Sequence, residues 1–120
     1  MDRNLGVGIN TGSSTPKFRL GDTIPVKVKY GYKGVPQKAQ FKFELGKGVY
    51  PAFTSKHTFP EISIDFTGAM EWDDGREFNA EFKIPNDLET GLYNSRGTLR
   101  TISDAAQEID TDWSAVEIMG

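Results

Sequence analysis

Ile84-Pro85-Asn86-Asp87-Leu88-Glu89-Thr90-Gly91-Leu92-Tyr93 is the stretch on which the reading of this chain turns. A run of alternating apolar residues ends at Pro85, which has no N–H to offer a ladder. Asn86 to Thr90 supply the polar residues of a corner, because Asn and Asp side chains bond their own backbone in turns. Gly91-Leu92-Tyr93 then opens a second alternating run. The order is strand, corner, strand, and alternation marks further strands along the rest of the chain, without an internal sequence repeat.

Period-two alternation marks half-buried strands. Ile24, Val26, Val28, Tyr30 and Tyr32 form one apolar row, with Lys27 and Lys29 on the opposite face. Phe41, Phe43 and Leu45 form the next. Ile62, Ile64 and Phe66 follow, and Met70 and Trp72 keep their phase beyond Gly68. Phe78, Ala80, Phe82 and Ile84 lead into the corner, and Tyr93, Ser95, Gly97 and Leu99 lead out of it. Val116 and Ile118 close the chain. With a short first strand around Phe18 and Leu20, the pattern predicts seven strands. Lys33-Gly34-Val35-Pro36 and Asp73-Asp74-Gly75 punctuate them as turns. Residues 46–60 make a longer connection, with an edge strand expected at Val49 to Phe53, where Pro51 is tolerated. No helical period persists.

A chain of 120 residues suits one domain and can bury a core without metal or disulfides. Eight Phe, four Tyr and two Trp supply that core, and there is no cysteine to staple it. No stretch approaches the roughly 20 apolar residues of a membrane helix, and the first residues lack the pattern of a signal peptide. With Met1 as the native start, the expected location is the cytoplasm or a virion. Secretion is expected only if Met1 is an artefact of excision. Residues 1–60 carry ten Lys or Arg against three acids, and residues 61–120 carry four against fourteen. The smaller cost is to pair the two halves inside the fold, with Lys27 and Lys29 beside Glu77 and Glu81. The acidic pI of about 5.1 argues against nucleic acid as a partner.

The corner, with Pro85, Gly91 and Tyr93, resembles the tyrosine corner of immunoglobulin-like and fibronectin-type sandwiches. The resemblance covers residues 17–119 and extends to strand number and order. It implies a seven-stranded antiparallel immunoglobulin-like sandwich at residues 17–120, preceded by an extended arm and linker at residues 1–16. It also implies that the Tyr93 hydroxyl bonds back to main chain between Asp87 and Glu89. The paired cysteines and the third-strand tryptophan of antibody domains are missing. The chain therefore looks more like the cysteine-free modules of phage virion and bacterial surface proteins.

Residues with chemical potential are few. His57 is the sole histidine and is read as a solvent-facing loop residue, since no nucleophile elbow accompanies it. Asp104, Glu108, Asp110 and Asp112 precede the last strand and offer oxygen ligands, but without calcium-loop spacing. Neighbouring Asp73 and Asp74 point apart and do not form a catalytic pair. No catalytic, metal or cofactor site is expected. Trp113, read as facing outward beside an outer row of Asn94, Arg96, Thr98 and Arg100, is the better lead, for a protein or for sugar rings. In the arm, Leu5, Val7 and Ile9 alternate as a strand requires, and residues 10–16 read as a flexible linker. The arm is expected to pack against protein and support self-association or docking, so that removing residues 1–15 would leave a folded sandwich. The function expected is a non-enzymatic structural or interaction module, a subunit or decoration of a larger assembly such as a phage virion. A carbohydrate-binding accessory domain is the alternative.

Overall fold

The computed structural model describes residues 4–12 and 14–120; residues 1–3 and Ser13, which belong to the predicted arm and linker, lie outside the described residues. The described chain contains nine strands and no helix: β1 (Leu5–Asn10), β2 (Lys17–Arg19), β3 (Thr23–Gly34), β4 (Gln37–Lys47), β5 (Thr54–Thr58), β6 (Ile62–Phe66), β7 (Ala69–Lys83), β8 (Gly91–Thr101) and β9 (Gln107–Met119). Three of them form one sheet in the order β1-β3-β7. The other six form a second, β2-β9-β8-β4-β5, with β6 also on β4. Every pairing is antiparallel except β2 with β9.

The protein is thus all-β, as the alternation requires, but with nine strands where seven were predicted. The two additions have identifiable causes. Leu5, Val7 and Ile9 sit opposite Tyr32, Tyr30 and Val28, so the arm is the edge strand of the smaller sheet. Thr54–Thr58 pairs with the end of β4, whereas Val49 to Phe53 form a turn rather than the predicted strand. In that turn Ala52 N–H donates to Val49 O at 2.9 Å, and the Tyr50–Pro51 peptide is cis.

Between the sheets the predicted rows meet. Phe41, Phe43, Leu45, Ile24, Val28 and Leu99 are wholly buried. Phe43 stacks on Phe82 at 4.9 Å and Tyr30 on Phe66 at 4.8 Å, which ties β4 to β7 and β3 to β6. Each such side chain contributes about 1.5–3 kcal/mol by leaving water. The row does not run on to Met70 and Trp72, which are 95% and 37% exposed. The chain changes sheets between Phe66 and Ala69, which resets the phase. Nor is Asp73-Asp74-Gly75 a hairpin turn. It is a bulge within β7, where Tyr30 and Tyr32 of β3 face Arg76 and Asp73. The Asp73 carboxylate accepts from Gly75 N–H and Arg76 Nε, and Arg76 reaches on to the carbonyls of Thr67 and Gly68.

At the corner, Tyr93 is buried and its hydroxyl donates to Glu89 O, within the segment predicted. Leu88 N–H donates to Pro85 O at 3.3 Å and closes the turn. Gly91 holds φ at 137°, a conformation that a side chain would strain. Lys47 covers the tyrosine, its Nζ 3.9 Å from the ring centroid and 2.6 Å from Leu92 O.

The described residues of the predicted linker, 10–12 and 14–16, are tied down as well. β9 carries a bulge in which Trp113 to Ala115 oppose Asn94 alone, between the pairs Tyr93–Val116 and Ser95–Asp112. The carbonyls of Ser114 and Ala115 accept from the hydroxyls of Thr15 and Thr11, and Glu117 N–H donates to Pro16 O. Thr11, Thr15 and Pro16 of the predicted linker are thus pinned along β9.

Candidate functional site

The outer face of the six-stranded sheet carries the densest set of side chains outside the core. Alternation puts Asn94, Arg96, Thr98 and Arg100 of β8 on that face, opposite Gly46, Glu44, Lys42 and Gln40 of β4. On the other side lie Thr111, Ile109 and Gln107 of β9. Arg100 donates to Gln40 Oε1 at 2.8 Å and Arg96 Nε to Thr111 Oγ1 at 2.9 Å. Glu44, nearly buried, lies 3.7 Å from Lys42 Nζ and directly across from Arg96. The row is therefore held in place before any ligand arrives.

One end of this face is roofed by the turn after β4. Gly46 makes the roof possible, because a Cβ there would lie 2.6 Å from the Phe53 ring. The Phe53 ring fills the space over Gly46, and the Arg96 guanidinium stands 4.2 Å from its centroid. Asn94 locks two loops at once: its Nδ2 donates to Gly48 O at 3.0 Å and its Oδ1 accepts from Ser114 N–H at 2.8 Å. Beyond them Tyr50 meets Trp113 edge to face at 5.6 Å. Val49 and Tyr50 are 84% and 74% exposed. The result is an aromatic platform of Tyr50, Trp113 and Phe53 with a fixed cation beside it.

The structure brings two of the three outer-face residues singled out in the sequence together and separates the third. Trp113 points outward, half-buried beneath Tyr50, and Arg96 lies close by. Arg100, four strand residues from Arg96 or about 13 Å away, belongs to the opposite end. Tyr50 and Phe53 were missed as site residues, since both fell in the predicted edge strand. The signal was there in Val49-Tyr50-Pro51 between Gly48 and Phe53, an apolar turn with no strand-like polar alternation.

The arm residues Leu5 and Ile9 are buried and Val7 half-buried. The apolar row expected to pack against protein packs on the chain's own core, with Ile9 over Gly97. His57 is a strand residue, not a loop residue. It lies opposite Leu45 with its ring edge-on to Phe59 at 4.5 Å, and the Ser55 hydroxyl bonds Thr58 instead.

The acidic segment is partly strand. Glu108, Asp110 and Asp112 alternate on the inner face of β9, opposite Leu99, Gly97 and Ser95. Asp110 accepts Ile9 N–H at 2.9 Å. Asp112 lines a cleft of about 300 Å³ with Thr11 and Thr15, and burial, then the charge of Asp110, pushes its carboxyl pKa up to about 6. Asp104 turns back to the Thr101 hydroxyl, a hydrogen bond that lowers its pKa. Among the described residues no three His, Asp or Glu side chains gather as metal ligands would.

These features define an all-β, two-sheet protein with a polar-aromatic outer face. No family model matches the chain, and a search of curated proteins finds no match. Among solved structures the chain is similar to the sporulation control protein Spo0M from Bacillus subtilis, with a TM-score of 0.51 and 14% identity over 99% of this chain. It is also similar to part of a β-glucosidase from Listeria innocua in complex with glucose, with a TM-score of 0.51 and 15% identity over 98% of this chain. The chain spans 51% of the first protein and 16% of the second. At such identities the likeness is one of fold.

Proposed function

We propose that the chain is a non-enzymatic protein-interaction module of the immunoglobulin-like kind, working as one part of a larger assembly. The tyrosine corner supports the fold reading. So does the strand arrangement: if β1 and β2 are halves of one first strand, and β5 and β6 halves of one edge strand along β4, nine segments reduce to seven. The observation that carries the functional reading is exposed Tyr50 set edge-on to half-buried Trp113, next to the Phe53 ring and its fixed Arg96. Tyrosine, tryptophan and arginine are the residues that dominate binding energy at interfaces, and solvent-facing aromatics held rigidly lose little entropy when covered.

The same two rings favour carbohydrate binding as a second reading, because an exposed aromatic pair beside a cation also suits a sugar ring. One experiment separates the two. Tyr50→Ala and Trp113→Ala lie outside the core and should leave thermal stability nearly unchanged. Retention of a purified protein partner by the wild type, and its loss in both variants, is the expected result. Quenching of tryptophan fluorescence by oligosaccharides, lost in Tyr50→Ala, would transfer the platform to the second reading. Variants that bind every partner and sugar as the wild type does would overturn both.

A further inference from the structure

We propose that the free edge of β7 accepts an extended, basic, amphipathic segment of a partner protein, which joins the three-stranded sheet as a fourth strand. This rests on the interaction-module reading and deepens it at a surface separate from the Tyr50–Trp113 platform.

β7 runs for 15 residues and, among the described residues, has a strand neighbour on one side only, β3. The ladder shows which backbone groups remain. Ile84 N–H donates to Asp22 O at 2.8 Å, so the alternation of an antiparallel pair turns Phe82, Ala80 and Phe78 toward β3. Glu77, Asn79, Glu81 and Lys83 then turn their N–H and C=O groups away from it. The far side of β3 agrees. Val28, opposite Phe78, must point its backbone away from β1, and Ile9, opposite Val28, indeed sends its N–H to Asp110. A row of unpaired backbone groups is a template for another strand.

Beneath this edge the larger sheet is incompletely covered. β6 bonds to β4 alone, and its inward residues Ile62 and Ile64 are only half-buried. A cleft of about 340 Å³ separates Phe59, Pro60 and Ile62 from Glu81, Phe82 and Lys83. A strand laid about 4.8 Å from β7 would place every second side chain over this apolar floor. The intervening side chains would emerge beside Glu77 and Glu81.

Charge selects the occupant. β7 holds Glu71, Asp73, Asp74, Glu77 and Glu81 against Arg76 and Lys83, and Arg76 is already engaged by Asp73. A second copy pairing through its own β7 would set these acids against each other, which is unfavourable across strands. The strand that β7 already accepts has the opposite character. β3 turns Val26 and Val28 inward and Lys27 and Lys29 outward, with Lys29 directly opposite Glu77. The partner segment has that same pattern: apolar residues at alternate positions with Lys or Arg between. Main-chain bonds supply its affinity and the floor over Ile62 supplies its specificity.

The probe is a capped nine-residue peptide alternating Lys with Val or Ile, titrated into the full chain. Binding should be roughly tenfold weaker or worse, a loss of about 1.4 kcal/mol, when Glu replaces Lys in the peptide. Pro at alternate peptide positions, which removes backbone donors, should weaken it as much. The doubly substituted Glu77→Lys, Glu81→Lys protein should also bind poorly. Amide exchange at Glu77, Asn79, Glu81 and Lys83 should slow on binding, with Phe78, Ala80 and Phe82 unaffected. Equal binding of the Lys, Glu and Pro peptides, no binding at millimolar peptide, protection centred on residues 48–53, or a concentration-dependent dimer that protects the same amides would each overturn the proposal. Trp113→Ala should bind the peptide as the wild type does, so failure here and failure of the platform reading are distinguishable.

Discussion

Tyr93 shows how much a single residue can carry. Its ring is buried and its hydroxyl reaches Glu89 O, while burial, then the charge of Glu89, raises its pKa. Tyr93→Phe keeps the ring and loses the bond, so chemical denaturation should show a loss of about 0.5–1.5 kcal/mol. Asp112 makes the opposite case. Its folded pKa of about 6 lies above the 3.8 of an ordinary aspartate, so the native state holds its proton more tightly than the unfolded state does. The penalty for charging it is therefore present above pH 6, eases as pH falls toward 3.8, and is absent below. Discounted for its partial exposure, the shift amounts to about 1 kcal/mol. Asp112→Asn should accordingly stabilise the protein at pH 7.5 and match the wild type near pH 4. Equal stability of the two proteins at pH 7.5 would remove the strain assigned to this carboxyl.

At the scale of elements, the arm changes its meaning between sequence and structure. Alternation in Leu5, Val7 and Ile9 shows that the segment has an apolar face. It cannot show which surface that face meets, because period two fixes the side and not the partner. Burial of Leu5 and Ile9 supplies the answer: that face meets the chain's own core. Removal of residues 1–15 should cost about 3 kcal/mol or more from lost apolar burial, instead of leaving the sandwich intact. A thermal melt of the truncated protein that overlays the full-length one would contradict this. Met70 and Trp72 illustrate the same limit. Their phase matches Ile62 to Phe66, yet a switch of sheets at Gly68 leaves no mark in the alternation. The corner was legible because strand end, turn and tyrosine are contiguous. The Tyr50–Trp113 platform was only half legible, because it joins a turn to a bulge far along the chain.

Across the whole molecule, the division of charge is absorbed by the fold. Lys29 faces Glu77, and Lys27 lies between Glu77 and Glu81 on the neighbouring strand. Opposite charges set across neighbouring strands in this way contribute about 0.2–1 kcal/mol per pair, and they put acids beside these two lysines of the basic half. Generic duplex DNA at low salt should therefore bind weakly or not at all. Micromolar binding with a steep salt dependence would mean that phosphates displace these pairs. With Leu5 and Ile9 in the core, the surfaces proposed for function are the platform on the larger sheet and the open edge of the smaller one.

The most direct measurement is site-specific photo-crosslinking in an extract of the source organism, with the reactive side chain placed at exposed Val49, beside the intact Tyr50 and Trp113, and, separately, at exposed Asn10 of the arm. The platform reading predicts one discrete protein adduct from position 49, suppressed by excess wild-type protein but not by Trp113→Ala, and none from position 10. A specific adduct from position 10 with none from position 49 would contradict it.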